Sequence, residues 1–232
     1  MKLSIVVFIL SIVFSVMNVL TGQENLKTFT FKKGEVLDLI LLDSPPNSEA
    51  LFDRYKKTAF PIAFAYGYQP QPGFKISKLT MGTHLPASFI VGKWTTREKR
   101  EGFLTNIVKK VPDFHSQRRK LFTYFGLTYY EILEDMEFSI DTSKYTVVTA
   151  LWKKNIVTYT KFLKEWKAHI STSGGKIITT LKGGTSPVGY YYNPDTLIIA
   201  VWEDANGFQS FTAKYPLSAY EGLQNVHQFV ID

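Results

Sequence analysis

The chain has 232 residues, with 27 Lys and Arg against 20 Asp and Glu, a net charge of +7, 45% apolar and 15% aromatic residues, and no cysteine. That much apolar material excludes a disordered chain. The missing cysteine excludes a disulfide scaffold, thiolate-bound zinc, an iron–sulfur cluster, a thiol nucleophile and a lipid-modified N-terminal cysteine.

In chain order, a leader comes first. Lys2 precedes residues 3–20, an uncharged run rich in Ile, Val, Phe and Leu, and Thr21-Gly22 supplies small residues ahead of Gln23-Glu24. This is the pattern of a secretory signal peptide at residues 1–22, cleaved near Gly22. The alternative is a retained anchor, because 18 residues is the lower limit for spanning a bilayer. The expected location is secreted or periplasmic, in a bacterium, with membrane contact only if the leader is kept.

After the leader, one order of elements occurs twice, offset by about 108 residues. In the first copy, expected at 33–141, residues 36–42 read as a strand, and Ser44-Pro45-Pro46 leads into a helix with Leu51, Phe52 and Tyr55 on one face. Strands follow at 74–81 and 89–94, then a helical region at 98–122 that Pro112 must kink or divide. A strand begins at 127–131, and 139–144 links to the second copy.

In the second copy, expected at 142–232, residues 146–152 form a strand, and Tyr159, Phe162, Leu163, Trp166 and Ile170 recur at helical spacing. Ser173-Gly174-Gly175 stops that helix. Strands at 176–181 and 197–202 follow, then a helix capped by Asp204 and broken near Pro216, then a strand at 226–231. Each copy reads β-α-β-β-α-β, the ferredoxin-like unit. The first and third strands of the second copy are its most continuously apolar, as central strands should be. The third strands align Trp94 with Trp202, and each is followed by a Gly-Phe pair, Gly102-Phe103 and Gly207-Phe208.

These residues resemble the dimeric α+β barrel superfamily. The carrying residues in the second copy are Phe162-Leu163 with Trp166, Gly174-Gly175-Lys176, the run from Leu197 to Asp204, and Tyr215-Pro216-Leu217-Ser218-Ala219-Tyr220. In the first they are Tyr55, Tyr66-Gly67-Tyr68, the run from Phe89 to Trp94, and Pro112-Asp113-Phe114 with Arg118. Within the superfamily the look is of small stand-alone bacterial domains of unknown function. The resemblance implies an α+β fold in which two tandem units close a barrel within one chain. It implies a site between a sheet and its helices or loops. It extends to cofactor-free monooxygenases, haem enzymes and ligand-binding regulators, so the fold leaves function open.

The search for chemistry is sparse. His84, His115, His169 and His227 form no metal-ligand spacing, so no metal is expected. No cofactor is expected either, haem with a histidine axial ligand being the one that the resemblance leaves open. There is no Gly-x-Ser-x-Gly elbow, and Gly174-Gly175-Lys176 follows a helix rather than preceding one, so it is a cap and not a phosphate loop. The acidic run Glu131, Glu134, Asp135, Glu137 lacks the ligand alternation of a calcium loop. Most of the positive charge, +5, lies between Arg97 and Lys120. This suits a carboxylate or phosphate site, an anionic lipid surface, or an ordinary solvated helix face. Nucleic acid is not an expected partner. Tyr190-Tyr191-Tyr192 falls in a loop, so at least one should be exposed.

The expected function is binding of a small apolar or anionic ligand by an exported protein, through candidates Tyr66, His84, Trp94, His115, Arg118, Arg119 and Trp202. The alternative is an enzyme of the barrel superfamily, either a cofactor-free monooxygenase or haem-dependent. A third reading is a structural, partner-binding protein. For an enzyme, the first copy is the expected active half, because it carries His84, His115, Trp94, Arg118 and Arg119; the second has Tyr220-Glu221 and Gln224 where the first has Phe114-His115 and Arg118, so any polar site there is asymmetric.

Overall fold

The computed structural model describes residues 25–187 and 189–232. The expected leader lies outside the described residues. Among them, no helix is long and apolar enough to cross a membrane.

The described residues build eleven strands and five helices: β1 (Leu26–Phe31), β2 (Val36–Asp43), α1 (Glu49–Ala65), β3 (Tyr68–Pro70), β4 (Phe74–Met81), β5 (Ser88–Trp94), α2 (Arg97–Lys110), α3 (Phe114–Leu121), β6 (Tyr124–Glu131), β7 (Met136–Asp141), β8 (Tyr145–Lys153), α4 (Ile156–Thr172), β9 (Lys176–Lys182), β10 (Thr196–Trp202), α5 (Ala205–Lys214) and β11 (Leu223–Ile231). The main sheet runs β6-β2-β5-β4-β11-β8-β10-β9, with the short β3 also on β5. Each half of that path has the ferredoxin-like order, fourth strand, first, third, second, and its pairs are antiparallel. The halves join where β4 pairs with β11.

At the opposite seam, β6 meets the loop after β9. Tyr129 and Thr185 exchange both backbone hydrogen bonds at 2.9 Å. Gly184 permits this approach, since a Cβ there would fall 2.7 Å from Tyr130 Cε1. The result is a nearly closed barrel of two tandem units in one chain.

Strand alternation sends side chains to two sides of this wall. Leu37, Leu39 and Leu41 of β2 join Phe89, Val148, Leu197, Ile199, Phe229 and Ile231 in the barrel core. The opposite faces pack beneath helices, around Trp94, Phe103 and Phe114 in unit 1 and around Trp166, Trp202 and Phe211 in unit 2. Burying each such side chain contributes about 1.5–3 kcal/mol.

The helices start and stop where local chemistry dictates. Thr96, Asn155 and Asp204 accept backbone N–H bonds at the starts of α2, α4 and α5. Pro112 divides the expected 98–122 helix into α2 and α3. Near Pro216, α5 gives way to a 3₁₀ turn, Leu217–Ala219.

One departure concerns β1 and β7. The sequence reading assigns no strand to either and treats 139–144 as a link. They pair instead as an antiparallel ribbon whose Phe29, Phe31, Phe138 and Ile140 enter the barrel core. A short strand with one buried face gives little periodicity until its partner is known.

Candidate functional site

The two units differ most beneath their first helices. α1 and α4 both have 17 residues, and each is followed by a glycine in the left-handed region, Gly67 (φ +80°) and Gly174 (φ +79°). Aligned on these glycines, Tyr55 stands opposite Phe162, Ala59 opposite Trp166 and Ala63 opposite Ile170. All six are buried. In unit 2 the indole of Trp166 fills the space between helix and sheet, 5.7 Å from the Phe211 ring. In unit 1 the two alanines leave a cavity of about 180 Å³. Ile40, Ile90, Phe125 and Leu127 line it from the sheet, and Phe52, Phe60, Leu104 and Phe122 from the helices and their ends.

A polar group borders this apolar space. Asp38, 2% exposed, accepts hydrogen bonds from Trp94 Nε1 at 2.8 Å and from Arg100 Nε at 3.0 Å. The Arg100 guanidinium lies over the Tyr129 ring at 4.7 Å. The Tyr68 hydroxyl has no hydrogen-bond partner among the described residues. Burial, then the Asp38 charge, pushes its pKa up to about 12, so it is a neutral hydrogen-bond donor.

Unit 2 lacks this group. Val36 faces Trp94 across the ladder as Tyr145 faces Trp202, so Asp38 corresponds to Val147. The caps Thr96 and Asp204 each follow their tryptophan by two residues, so Arg100 corresponds to Phe208 and Phe103 to Phe211. The ring distances agree, 5.2 Å for Trp94–Phe103 and 5.4 Å for Trp202–Phe211. The expected equivalence of the two Gly-Phe pairs is therefore three residues out of step, because the helix caps set the register.

Arg118 of α3 lies where the cavity meets a shallower basic mouth formed with His115, Arg119, Gly189 and Tyr190. Its Nε donates to the Tyr55 hydroxyl at 2.9 Å, and Nη1 donates to the Tyr190 hydroxyl. Its guanidinium lies 4.4 Å from the Phe114 ring centre and 4.5 Å from that of Phe125. No carboxylate of the described residues pairs with it. α3 is fixed to α1 through Arg54–Asp113 (2.5 Å) and Thr58–Gln117 (2.9 Å).

Of the expected candidates, Trp94, Arg118, His115 and Arg119 come together at the cavity and its mouth. Tyr66 packs on Phe103 instead, just beyond the lining. His84 lies elsewhere, with Nε2 2.9 Å from Asp43 Oδ2 and its ring 4.3 Å from that of Tyr124. Trp202 is enclosed between Phe208 and Phe211 in the filled unit. The basic cluster also disperses. Arg97 pairs with Glu101 and Glu131, Arg100 points under the helix to Asp38, and Arg118 turns toward the cavity. Sequence reasoning missed Asp38 and Ala59, counted Arg100 only within the basic cluster, and carried Tyr68 among the aromatics without making it a site candidate. The lone charge of Asp38 within the apolar run 36–42 is the one signal that could have pointed there.

No histidine lines the cavity. His115 is exposed in the mouth, His169 stacks on Tyr215 at 3.9 Å, and His227 is bound to Tyr192 and to the His84 carbonyl.

No protein-family model matches the chain, and no curated protein matches it in sequence. Solved structures do match. An anthrone oxidase-like protein superposes with a TM-score of 0.51 at 12% identity, over 88% of this chain and 94% of that one. A variant of chlorite dismutase from Candidatus Nitrospira defluvii superposes with a TM-score of 0.50 at 10% identity, over 87% and 92%. At these identities the likeness is one of fold. The chain has the dimeric α+β barrel fold, with both ferredoxin-like units supplied by one polypeptide.

Proposed function

We propose that this is an exported protein that binds a small, largely apolar molecule in the cavity of unit 1. The observation that supports it is the pairing of Ala59 and Ala63 with Trp166 and Ile170. One unit fills the space under its first helix, and the other keeps it open in an otherwise close-packed fold. Apolar walls with a few fixed polar groups are what a small-molecule site needs. Both Asp38 oxygens are already engaged, so the Asp38–Trp94–Arg100 group serves as a rigid border.

The test is native mass spectrometry of the protein purified under mild conditions, with toluene titrated calorimetrically as an apolar probe. A retained small molecule, or toluene binding, is expected in the native chain and lost in Ala59→Trp. Equal toluene binding by a folded Ala59→Trp variant would remove this cavity as the site.

A second reading, a cofactor-free monooxygenase, is favoured by the oxidase name of one structural neighbour and by the unpartnered Tyr68 hydroxyl in the cavity. It predicts oxygen consumption with a phenolic substrate by metal-free protein, reduced in Tyr68→Phe. A haem-dependent version lacks an axial histidine at this site.

A further inference from the structure

We propose that the ligand is a monocarboxylate with one aromatic ring, its carboxylate on Arg118 and its ring among the apolar walls. This deepens the reading above and rests on it. Arg118 carries the argument. Both of its hydrogen-bond acceptors are neutral tyrosine hydroxyls, and the remaining contacts in its cage are aromatic faces. Nη2 has no acceptor among the described residues. A guanidinium stays charged at any physiological pH, and half-burying it among aromatic faces without a counter-ion is unfavourable. Arg100, the other cation of the site, already has Asp38. The site is therefore one anion short at Arg118.

Size sets the rest of the ligand. An apolar cavity of about 150 Å³ accommodates benzene, and this one is about 180 Å³. A ring placed there meets the aromatic faces of Tyr68 and Trp94, themselves 4.9 Å apart. A carboxylate carries one charge and matches one edge of a guanidinium. A phosphate would carry nearly two charges, against the single unpaired cation of the cavity lining.

Tyr190 gives the site a second property. It belongs to the loop between β9 and β10 of unit 2, yet it holds Arg118 and packs on Phe125 at 5.1 Å. The filled unit thus contributes a wall to the open one.

The experiment is calorimetric titration of the full chain with phenylacetate, its neutral analogue phenylacetamide, and octanoate. Phenylacetate is expected to bind at least tenfold more tightly than either. Arg118→Gln should abolish the preference over phenylacetamide, Arg118→Lys should keep part of it, and Lys161→Gln, exposed on α4, should leave it unchanged. Circular dichroism checks that each variant is folded. Equal binding of phenylacetate and phenylacetamide, or a preference that survives Arg118→Gln, overturns the carboxylate assignment while toluene binding still supports the cavity. Tighter binding of octanoate overturns the ring. Loss of toluene and phenylacetate binding alike in the native chain removes both readings.

Discussion

Ala59 and Trp166 occupy the same position in the two halves of this protein, and the difference in size between them is the difference between a cavity and a core. Trp166 is 1% exposed and Ala59 is 1% exposed, so both positions face inward. Only one of them fills what it faces.

Trp166→Ala should destabilise the chain by about 3–5 kcal/mol, because it removes a buried aromatic and leaves a void that close packing cannot collapse. Trp166→Phe should cost far less, since the Trp166 Nε1 has no partner to lose. Urea unfolding followed by circular dichroism measures both. Similar losses for the two variants would mean that volume is not what Trp166 supplies.

The Asp38–Arg100 pair offers a swap that the molecule has already made in its other half. Both side chains are 3% exposed. Asp38→Val alone should cost about 3–5 kcal/mol by leaving Arg100 buried and unpaired. Adding Arg100→Phe recreates the Val147 and Phe208 arrangement of unit 2 and should recover most of that loss. A double variant no more stable than the single one would show that the apolar solution does not transfer between the units.

Stability should also fall in mild acid through His227. Its ring lies 3.1 Å from the Tyr192 hydroxyl and 2.9 Å from the His84 carbonyl, and burial lowers its pKa from the ordinary 6.5. The carbonyl can only accept, so Nε2 donates to it and Nδ1 of the neutral ring accepts from Tyr192. Between the lowered folded pKa and 6.5, the unfolded chain binds more protons than the folded one. Stability is therefore complete above 6.5 and declines as pH falls toward the folded value. His227→Gln should flatten the denaturation midpoint between pH 7 and 5 relative to the parent. His115, also lowered by partial desolvation and by Arg118 and Arg119, contributes a slope of the same sign, which His115→Gln isolates.

Much of the architecture was legible from short-range chemistry. Continuous apolar runs marked β8 and β10 as central strands, helical spacing from Tyr159 to Ile170 outlined α4, and Pro112 divided α2 from α3. Each of these signals depends only on neighbours within a few residues. The ribbon of β1 and β7 gave no such signal, because its burial depends on a barrel that forms elsewhere in the chain.

The site divided along the same line. Composition and the repeat by themselves determined the two ferredoxin-like units, the pairing of Trp94 with Trp202, and the first copy as the one rich in polar candidates, while the barrel was what the resemblance implied. Tertiary structure alone decided that Trp94 borders a cavity while Trp202 sits in packed core, and that Arg118 lacks a counter-charge while Arg100 has Asp38. It also decided that Tyr190 reaches from unit 2 into unit 1. The physical reason is that a cavity is a mismatch of volumes between side chains far apart in sequence. Ala59 reads as an ordinary helix residue until the sheet beneath it, and Trp166 in the other unit, show what is missing.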